Sequence, residues 1–367
     1  MKYNLLELCD VITKGTTPST IGFSFERSGI NYIKSEQITS SRKLNYSNKF
    51  YISSDAHCKL KRSQLQDKDI LISIAGAYLG KLAMIFPDDL PANTNQAVGI
   101  IRTKQKLINP NYLFYYLSTD KMRNIISSYN AQSAQPNINL TQLGNIVIDV
   151  PSQCIQKHIV DILGSIDDKI ENIDKLTLKI QEYGNKLFSL IPLNKLEKLT
   201  DVVTFTKGKE IGSFNYLDKR IDGSVSYIRV GDLIGRNVST FTTIKDVPLC
   251  TEEDILIAFD GAPGRNNYGL KGAISSGIQK VDCDQTIKGF VYFYLNSELC
   301  QNTIKEYTTA TTIAHAGKAI KELQIPVVDD IEVYNKLNDL FTRLVALSKE
   351  KDVLQVLKQL YLKKFFG

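Results

Sequence analysis

Late in each half of this chain, apolar residues recur every seven positions. One series runs Ile159, Ile166, Ile173, Ile180 and Leu187, and a companion runs Ile162, Lys169, Leu176, Tyr183 and Leu190. Nine of these ten positions are apolar or aromatic, the pattern of a helix that buries one seam against another helix. Pro151 and Ser152 open this helix and Pro192 closes it. Val333, Leu340, Leu347, Leu354 and Tyr361 repeat the sevens later, with Leu337 and Leu344 between them. Roughly 40 residues at ~1.5 Å each make either helix on the order of 60 Å long. Such a seam needs a partner, and the chain contains its own. The expected interface sets Ile159, Ile162, Ile166, Ile173, Leu176 and Ile180 against Leu337, Leu340, Leu344, Leu347 and Leu354. The two helices are expected to run antiparallel and to hold the globular halves apart at opposite ends.

Ahead of each helix the pattern is mixed. Short runs such as "DILISIAG", "KLAMIF" and "VGIIRT" predict strands, broken by Gly, Pro, Asn and Ser clusters. "PNYLFYYLSTDKMRNIISSY" predicts a helix beginning at Pro110. These segments return in order. "DILISIAGAYLGK" (69–81) is echoed by "DILIAFDGAPGR" (254–265), "INYIKSEQIT" (30–39) by "VSYIRVGDLI" (225–234), and "NYLFYYLSTDKMRNII" (111–126) by "GFVYFYLNSELCQNTI" (289–304). The lag shrinks from 193 between Lys14 and Lys207 to 175 between Pro151 and Pro326, as in a two-copy duplication whose loops were trimmed separately. A solenoid would repeat every 20–50 residues. The expected fold class is α+β, with two tandem mixed α/β domains, each followed by a long coiled-coil helix. The boundaries read 1–150, 151–191, 192–326 and 327–367.

Composition narrows the chemistry. The net charge of +6 is carried by residues 1–150, with 17 Lys and Arg against 11 Asp and Glu, while residues 192–326 balance at 16 against 16. Clustered positive charge suits a polyanion. The opening "MKYNLLELCDVITKG" lacks the apolar core and cleavage site of a secretion signal, and no apolar run approaches the ~20 residues of a membrane span. A cytosolic protein with six reduced, unpaired cysteines is expected. Catalytic motifs fail on inspection. "NPNY" (109–112) nears the [DN]-P-P-[YF] signature of amino-methyltransferases, but Asn111 replaces the second proline. "GAYLGK" (76–81) is one residue short of a phosphate loop, and "FPDD" (86–89) has no downstream acid to complete a nuclease motif. Three single histidines offer no zinc spacing. The chain reads as a binder without chemistry or metal of its own.

The segment "IVIDVPSQCIQKHIVDILGSIDDKI" (146–170), with "YIKSEQI" (32–38), "DILISIAGAYLGK" and "NTNQAVGIIRT" (93–103), resembles the specificity subunit of a type I restriction–modification enzyme. The likeness spans the whole chain. It implies two target recognition domains, each reading one part of a split, asymmetric double-stranded DNA site, and helices that dock two modification subunits. It places the S-adenosylmethionine site and adenine methylation in those partners, and ATP- and magnesium-dependent cleavage in restriction subunits where these join. A recognition subunit of a type IIB-like or methylation-only assembly shares these features. A structural tandem-repeat protein that binds no DNA is the third reading.

Base and phosphate contacts need donors and acceptors on loops. In the first half the candidates are Lys14, Thr16 and Thr17, then Lys34, Ser35, Arg42 and Lys43, then Tyr78, Lys81, Asn93, Asn95 and Gln96. Gln132 and Gln135 of the polar "NAQSAQPN" stretch join them. In the second half they are Lys207, Lys209, Arg229 and Arg236, then Arg265, Asn266, Asn267, Tyr268, Lys271 and His315. Gly76 and Gly261 are expected to serve tight turns.

The expected helical rod carries its own prediction. A four-residue insertion near Thr177 adds about 6 Å of helix, close to two base-pair steps, and roughly one turn. The motif methylated in cells carrying the insertion is expected to keep both halves and lengthen its gap; an unchanged gap would separate spacing from helix length.

Overall fold

The computed structural model describes residues 1–39, 41–129, 137–309 and 314–367. The chain divides into two compact units, Met1–Lys169 with Gln355–Gly367, and Ile170–Leu354. In the first unit the strands are β1 (Lys2–Asn4), β2 (Cys9–Lys14), β3 (Ile30–Ile33), β4 (Tyr51–Ile52), β5 (Ile70–Ser73), β6 (Leu82–Met84), β7 (Ala92–Thr94), β8 (Val98–Thr103) and β9 (Val147–Asp149). Its helices are α1 (Ser54–Lys59), α2 (Pro110–Leu117), α3 (Asp120–Ser128) and α4 (Leu140–Gly144). The long helix α5 (Gln153–Ser189) follows.

In the second unit the strands are β10 (Leu196–Lys198), β11 (Thr204–Lys207), β12 (Val225–Ile228), β13 (Phe241–Thr242), β14 (Leu249–Cys250), β15 (Ile255–Ala258), β16 (Asn266–Asn267), β17 (Gly272–Ile274), β18 (Ile278–Asp282) and β19 (Gln324–Pro326). Its helices are α6 (Leu199–Val202), α7 (Lys288–Leu295) and α8 (Glu298–Glu306), and the long α9 (Ile331–Phe366) closes the series.

The two units share one topology. The first has an antiparallel sheet of order β2-β8-β5-β6 and a second sheet β4-β3-β7 in which β3 and β7 are parallel. The second has β11-β18-β15-β16, and β13-β12-β17-β14 with β12 and β17 parallel. The pairs β1-β9 and β10-β19 also correspond. The duplication read from the sequence is therefore a duplication of fold.

The "DILI" echo has a physical reason. β5 and β15 are sheet strands whose residues are all buried, hence their unbroken apolar runs. The aspartate before each closes a turn: Asp69 accepts from the Gln66 amide and Asp254 from the Thr251 amide, both at 2.8 Å. Each pairs with a base, Asp69 with Arg102 at 2.7 Å and Asp254 with Lys288 at 3.5 Å. Beyond the strands Gly76 (φ +77°) and Gly261 (φ +79°) take the left-handed turn that favours glycine. Gly15 and Gly208 are fixed by close approach instead. A Cβ on Gly15 would stand 2.0 Å from the Thr94 carbonyl oxygen, and one on Gly208 would stand 2.1 Å from that of Ser275.

The first predicted seam series is buried at Ile159, Ile166, Ile173 and Ile180. On α9, Leu337, Leu344 and Leu354 are buried, while Leu340 and Leu347 are half-buried. The companion series on α5 needs correction. Ile162 is only half-buried, and Leu176, Tyr183 and Leu190 are exposed at 47%, 59% and 72%. Leu163 and Gly184, one residue later in the register, are buried instead. A two-helix seam needs a narrow stripe, but α5 also beds on a globular domain, which widens and rotates the buried face. In the first unit Leu163 joins the core of Tyr112–Leu117. In the second, Gly184 lets the Phe293 ring of α7 against the helix, 2.2 Å from where a Cβ would lie.

Within the first unit α5 and α9 run antiparallel, His158 meeting Phe365 (ring centroids 6.4 Å apart) and Asp167 pairing with Lys358 at 2.6 Å. In the second unit Asp174 of α5 pairs with Lys351 of α9 at 2.5 Å.

Asp69→Ala leaves the Arg102 guanidinium half-enclosed without its partner, and such losses cost about 3–5 kcal/mol. Asp254→Ala, whose pair is longer, is expected to cost less. Denaturant unfolding of the two variants checks the order.

Candidate nucleic-acid interface

Strand direction gathers loops at one edge of each unit. Because β2, β8, β5 and β6 alternate, the end of β2, the start of β8, the end of β5 and the start of β6 share one edge. The parallel strands β3 and β7 finish there as well, since Thr94 leads through Asn95–Ala97 into β8. This edge collects Lys14, Thr16, Thr17, Lys34, Ser35, Tyr78, Lys81, Asn95 and Gln96 from the predicted set. In the second unit the same rule collects Lys207, Lys209, Arg229, Arg265, Asn266 and His315.

The loops are braced from below. The Tyr32 hydroxyl donates to the Thr16 carbonyl at 3.0 Å, and its counterpart Tyr227 donates to that of Lys209 at 2.9 Å. The Thr17 hydroxyl is hydrogen-bonded to Gln96, and Arg62, which sequence reasoning missed, donates to the Thr16 hydroxyl at 3.0 Å. Cations stand over aromatic faces: Lys34 lies 3.5 Å from the Phe50 centroid and 4.6 Å from that of Phe25, and Lys81 lies 4.7 Å from that of Tyr78. In the second unit Arg229 lies 5.7 Å from the Tyr216 centroid. Such contacts hold a charged head in place while leaving it its charge and donors. His315 meets Asp260 at 2.8 Å, and Arg265 donates to the Val230 carbonyl at 3.2 Å. Asn266 exchanges hydrogen bonds with Asn296 at 3.3 and 3.1 Å. Asp260 and the fully exposed Phe214 ring also escaped the sequence reading.

Several predicted contacts belong elsewhere. Asn93 is completely buried, donating to the Leu60 carbonyl and the Ser63 hydroxyl at 3.1 and 3.0 Å and meeting His57 at 2.5 Å. Tyr268 is a core residue against Tyr292 and Phe341. Asn267 donates to the Leu233 carbonyl at 2.8 Å, bracing a turn. Lys271, just before β17, lies at the far edge and pairs with Glu252 at 3.7 Å. Arg42 and Lys43 also lie at the far edge, where the Arg42 carbonyl accepts from the Met84 amide that ends β6. Arg42 pairs with Asp168 of α5, Lys43 stands 5.5 Å from the Phe86 centroid, and Arg236 reaches Ser348 of α9. Gln132 and Gln135 lie outside the described residues.

Among the described residues no three His, Cys, Asp or Glu side chains are grouped to hold a metal ion, and no helix is long and apolar enough to cross a membrane. All six cysteines are free. Burial pushes the thiols of Cys9, Cys250 and Cys300 up to about 12 and that of Cys283 up to about 11.

The family described as the type I restriction modification DNA specificity domain matches residues 1–182. The chain belongs to the specificity-subunit family of type I restriction–modification systems. It is similar to the MjaVIII specificity subunit of Methanocaldococcus jannaschii, 26% identical over 175 residues, 46% of this chain and 41% of that one. It is also similar to the EcoBI specificity subunit of Escherichia coli, 29% identical over 124 residues, 34% of this chain and 26% of that one. The match thus spans less than half the length of either relative. The putative MjaX specificity subunit of Methanocaldococcus jannaschii is 27% identical over 336 residues, 80% of this chain and 74% of that one. The crystal structure of the S subunit from M. genitalium shares the fold, with a TM-score of 0.57 at 17% identity over 100% of this chain and 96% of that one. The loop edge of the first unit falls inside the family-matched segment.

Thiol exposure gives a direct check on this specificity-subunit fold. Maleimide at neutral pH is expected to label exposed Cys58 and Cys154 quickly, while Cys9, Cys250 and Cys300 wait for unfolding, because the thiolate is the nucleophile. Mass spectrometry of digested protein reads the order.

Proposed function

We propose that this chain is the DNA-reading subunit of a type I restriction–modification system, each unit reading one part of a bipartite, asymmetric target. The observation that carries this reading is one loop edge built twice on one topology with different side chains. Lys34 and Lys81 in the first unit are replaced by Arg229 and Arg265 in the second. Gln96 in the first and His315 in the second, from non-equivalent positions, complete the donors available to a groove. Lys14 and Lys207 remain alike, as suits phosphate contacts that position without specifying. Two unlike readers describe a target whose halves differ.

The long helices support the second part of the proposal, docking of modification subunits. In the second unit the seven-residue row Leu176, Tyr183 and Leu190 faces solvent, and in the first unit Val356 and Leu360 do the same on α9. Apolar rows of this kind mark protein contacts. Those partners would bring S-adenosylmethionine and the methylating centre, and restriction subunits would bring ATP and magnesium. This chain contributes no bond-making step. We place it in the cytoplasm, where its DNA substrate is.

The test uses the chain copurified with its modification subunits. Duplex of random sequence is expected to bind at low salt and to be released steeply as salt rises. Lys14→Ala or Lys207→Ala should weaken this binding evenly across sequences and lower the salt slope by about one. Lys271→Ala, at the far edge, should change neither. Methylome sequencing with and without the gene is expected to show one two-part motif that depends on it. Absence of both salt-sensitive binding and a dependent motif would leave a structural tandem-repeat protein.

A further inference from the structure

Two arginines that follow the reading turns in sequence point to the long helices and not to the loop edge. Arg42 follows the turn that begins at Lys34. Its side chain is 12% exposed and pairs with Asp168 of α5 at 2.5 Å. Beside it, buried Asp167 accepts from the Tyr115 hydroxyl of α2 at 2.8 Å and pairs with Lys358 of α9 at 2.6 Å. Loop, globular helix and both long helices thus meet in one polar knot within the first unit.

The second unit also ties a loop to its long helices, through other residues and without a globular-helix hydroxyl. Arg236 follows the turn that begins at Arg229. Its side chain is 18% exposed, reaches Asp352 of α9 at 3.5 Å, and hydrogen-bonds Ser348 of the same helix. It also donates to the Gly269 carbonyl at 3.4 Å. Next to Asp352, Lys351 pairs with Asp174 of α5. Arg236 holds φ at +58°, a region non-glycine residues rarely occupy.

The two arginines are counterparts in the duplication. They stand 194 positions apart, between the 195 that relates Lys34 to Arg229 before them and the 185 that relates Asp69 to Asp254 after them. Their acidic partners are not counterparts. Gln156 and Asn338 mark comparable depths on the long helices: Gln156 accepts the amide of Asn109, the cap of α2, at 2.8 Å, and Asn338 accepts that of Gly289 in the first turn of α7, at 2.5 Å. Asp168 lies 12 residues beyond the first mark and Asp352 lies 14 beyond the second. The arginine has stayed while its acid has moved, so the link has persisted rather than one particular pair.

The turn ahead of each arginine is itself braced by hydrogen bonds. The Lys34 amide donates to Gln37 at 2.9 Å, and Gln37 holds the following loop through Asn45 and Asn48. The Arg229 amide donates to Asp232 at 2.8 Å, and Asn267 fastens the Leu233 carbonyl.

We propose that Arg42 and Arg236 are positioning residues that tie the reading turn of their own unit to its long helices. Discrimination in each half-site then depends on an ion pair that touches no DNA. This rests on the DNA-reading function proposed above.

The experiment compares complexes with modification subunits carrying wild-type chain, Arg42→Ala, Arg236→Ala, and the exchange Arg42→Asp with Asp168→Arg. The methylated motif is read in cells, and binding is measured on duplexes bearing that motif or single mismatches. Each alanine variant is expected to lose about tenfold of its mismatch discrimination, a part of the usual penalty per mismatch. The loss should fall in one half-site only, and in different halves for the two variants. The salt slope should stay at the wild-type value, and the exchange should recover discrimination. If Arg42→Ala does not fold, Asp168→Asn, which alters only the exposed partner, makes the same comparison. Folded variants that keep full discrimination, or lose it equally in both halves, would overturn the proposal. A wild-type complex without any motif-specific binding would overturn the DNA-reading function itself, before any variant is compared.

Discussion

The parallel pairing of β3 with β7, and of β12 with β17, is the constraint on which each reading edge depends. An all-antiparallel arrangement would send β3 to finish at the other side, taking Lys34 and Ser35 with it. Parallel pairing instead brings their turn beside the loops that leave β2 and enter β8. Gly15 and Gly208 then let the loop after the first strand cross the strand end at a separation no side chain would allow. Tyr32 and Tyr227 brace that loop from beneath through hydroxyls held by burial in their neutral, donating form. The scaffold fixes where loops depart and leaves their content free, so two copies of one fold come to display different donors.

The long helices do more than pair. α5 inserts Leu163 into the core of the first unit, and through Gly184 it accepts Phe293 of the second. Buried Asp167 is retained because Tyr115 and Lys358 satisfy it from two directions, as a carboxylate taken from water requires. Each unit is thus a loop edge at one side and a helix pair at another, with polar knots between. Arg42 and Arg236 occupy those knots, which is why their charge is not at the loop edge.

Much of this was legible in the sequence because it rests on repetition. The isoleucine row at 159, 166, 173 and 180 is periodic, and burial follows period. The duplicated turns announced themselves through Asp69 and Asp254, whose carboxylates cap backbone amides in both copies. The second helical row was misplaced because a heptad describes a helix with one neighbour, and α5 has two. Asn93 and Tyr268 were misread because residue type does not reveal burial. Arg42 and Arg236 were misread because their partners lie 126 and 112 positions away along the chain. The counterpart of Asn93–Gln96 was invisible because "AISS" (273–276) shares no residue with "NTNQ"; only the strand pairing aligns them.

The first unit is closed by residues from the far end of the numbering. Leu362 and Phe366 are part of its core, and the Phe366 ring lies 5.5 Å from those of both Tyr112 and Tyr116. On the ribosome, residues 1–169 emerge long before 355–367. The nascent first unit must wait, with an aromatic patch on α2 uncovered, until the whole second unit has been translated. Synthesis order and folding order therefore differ in this chain, and the half made first is the half completed last.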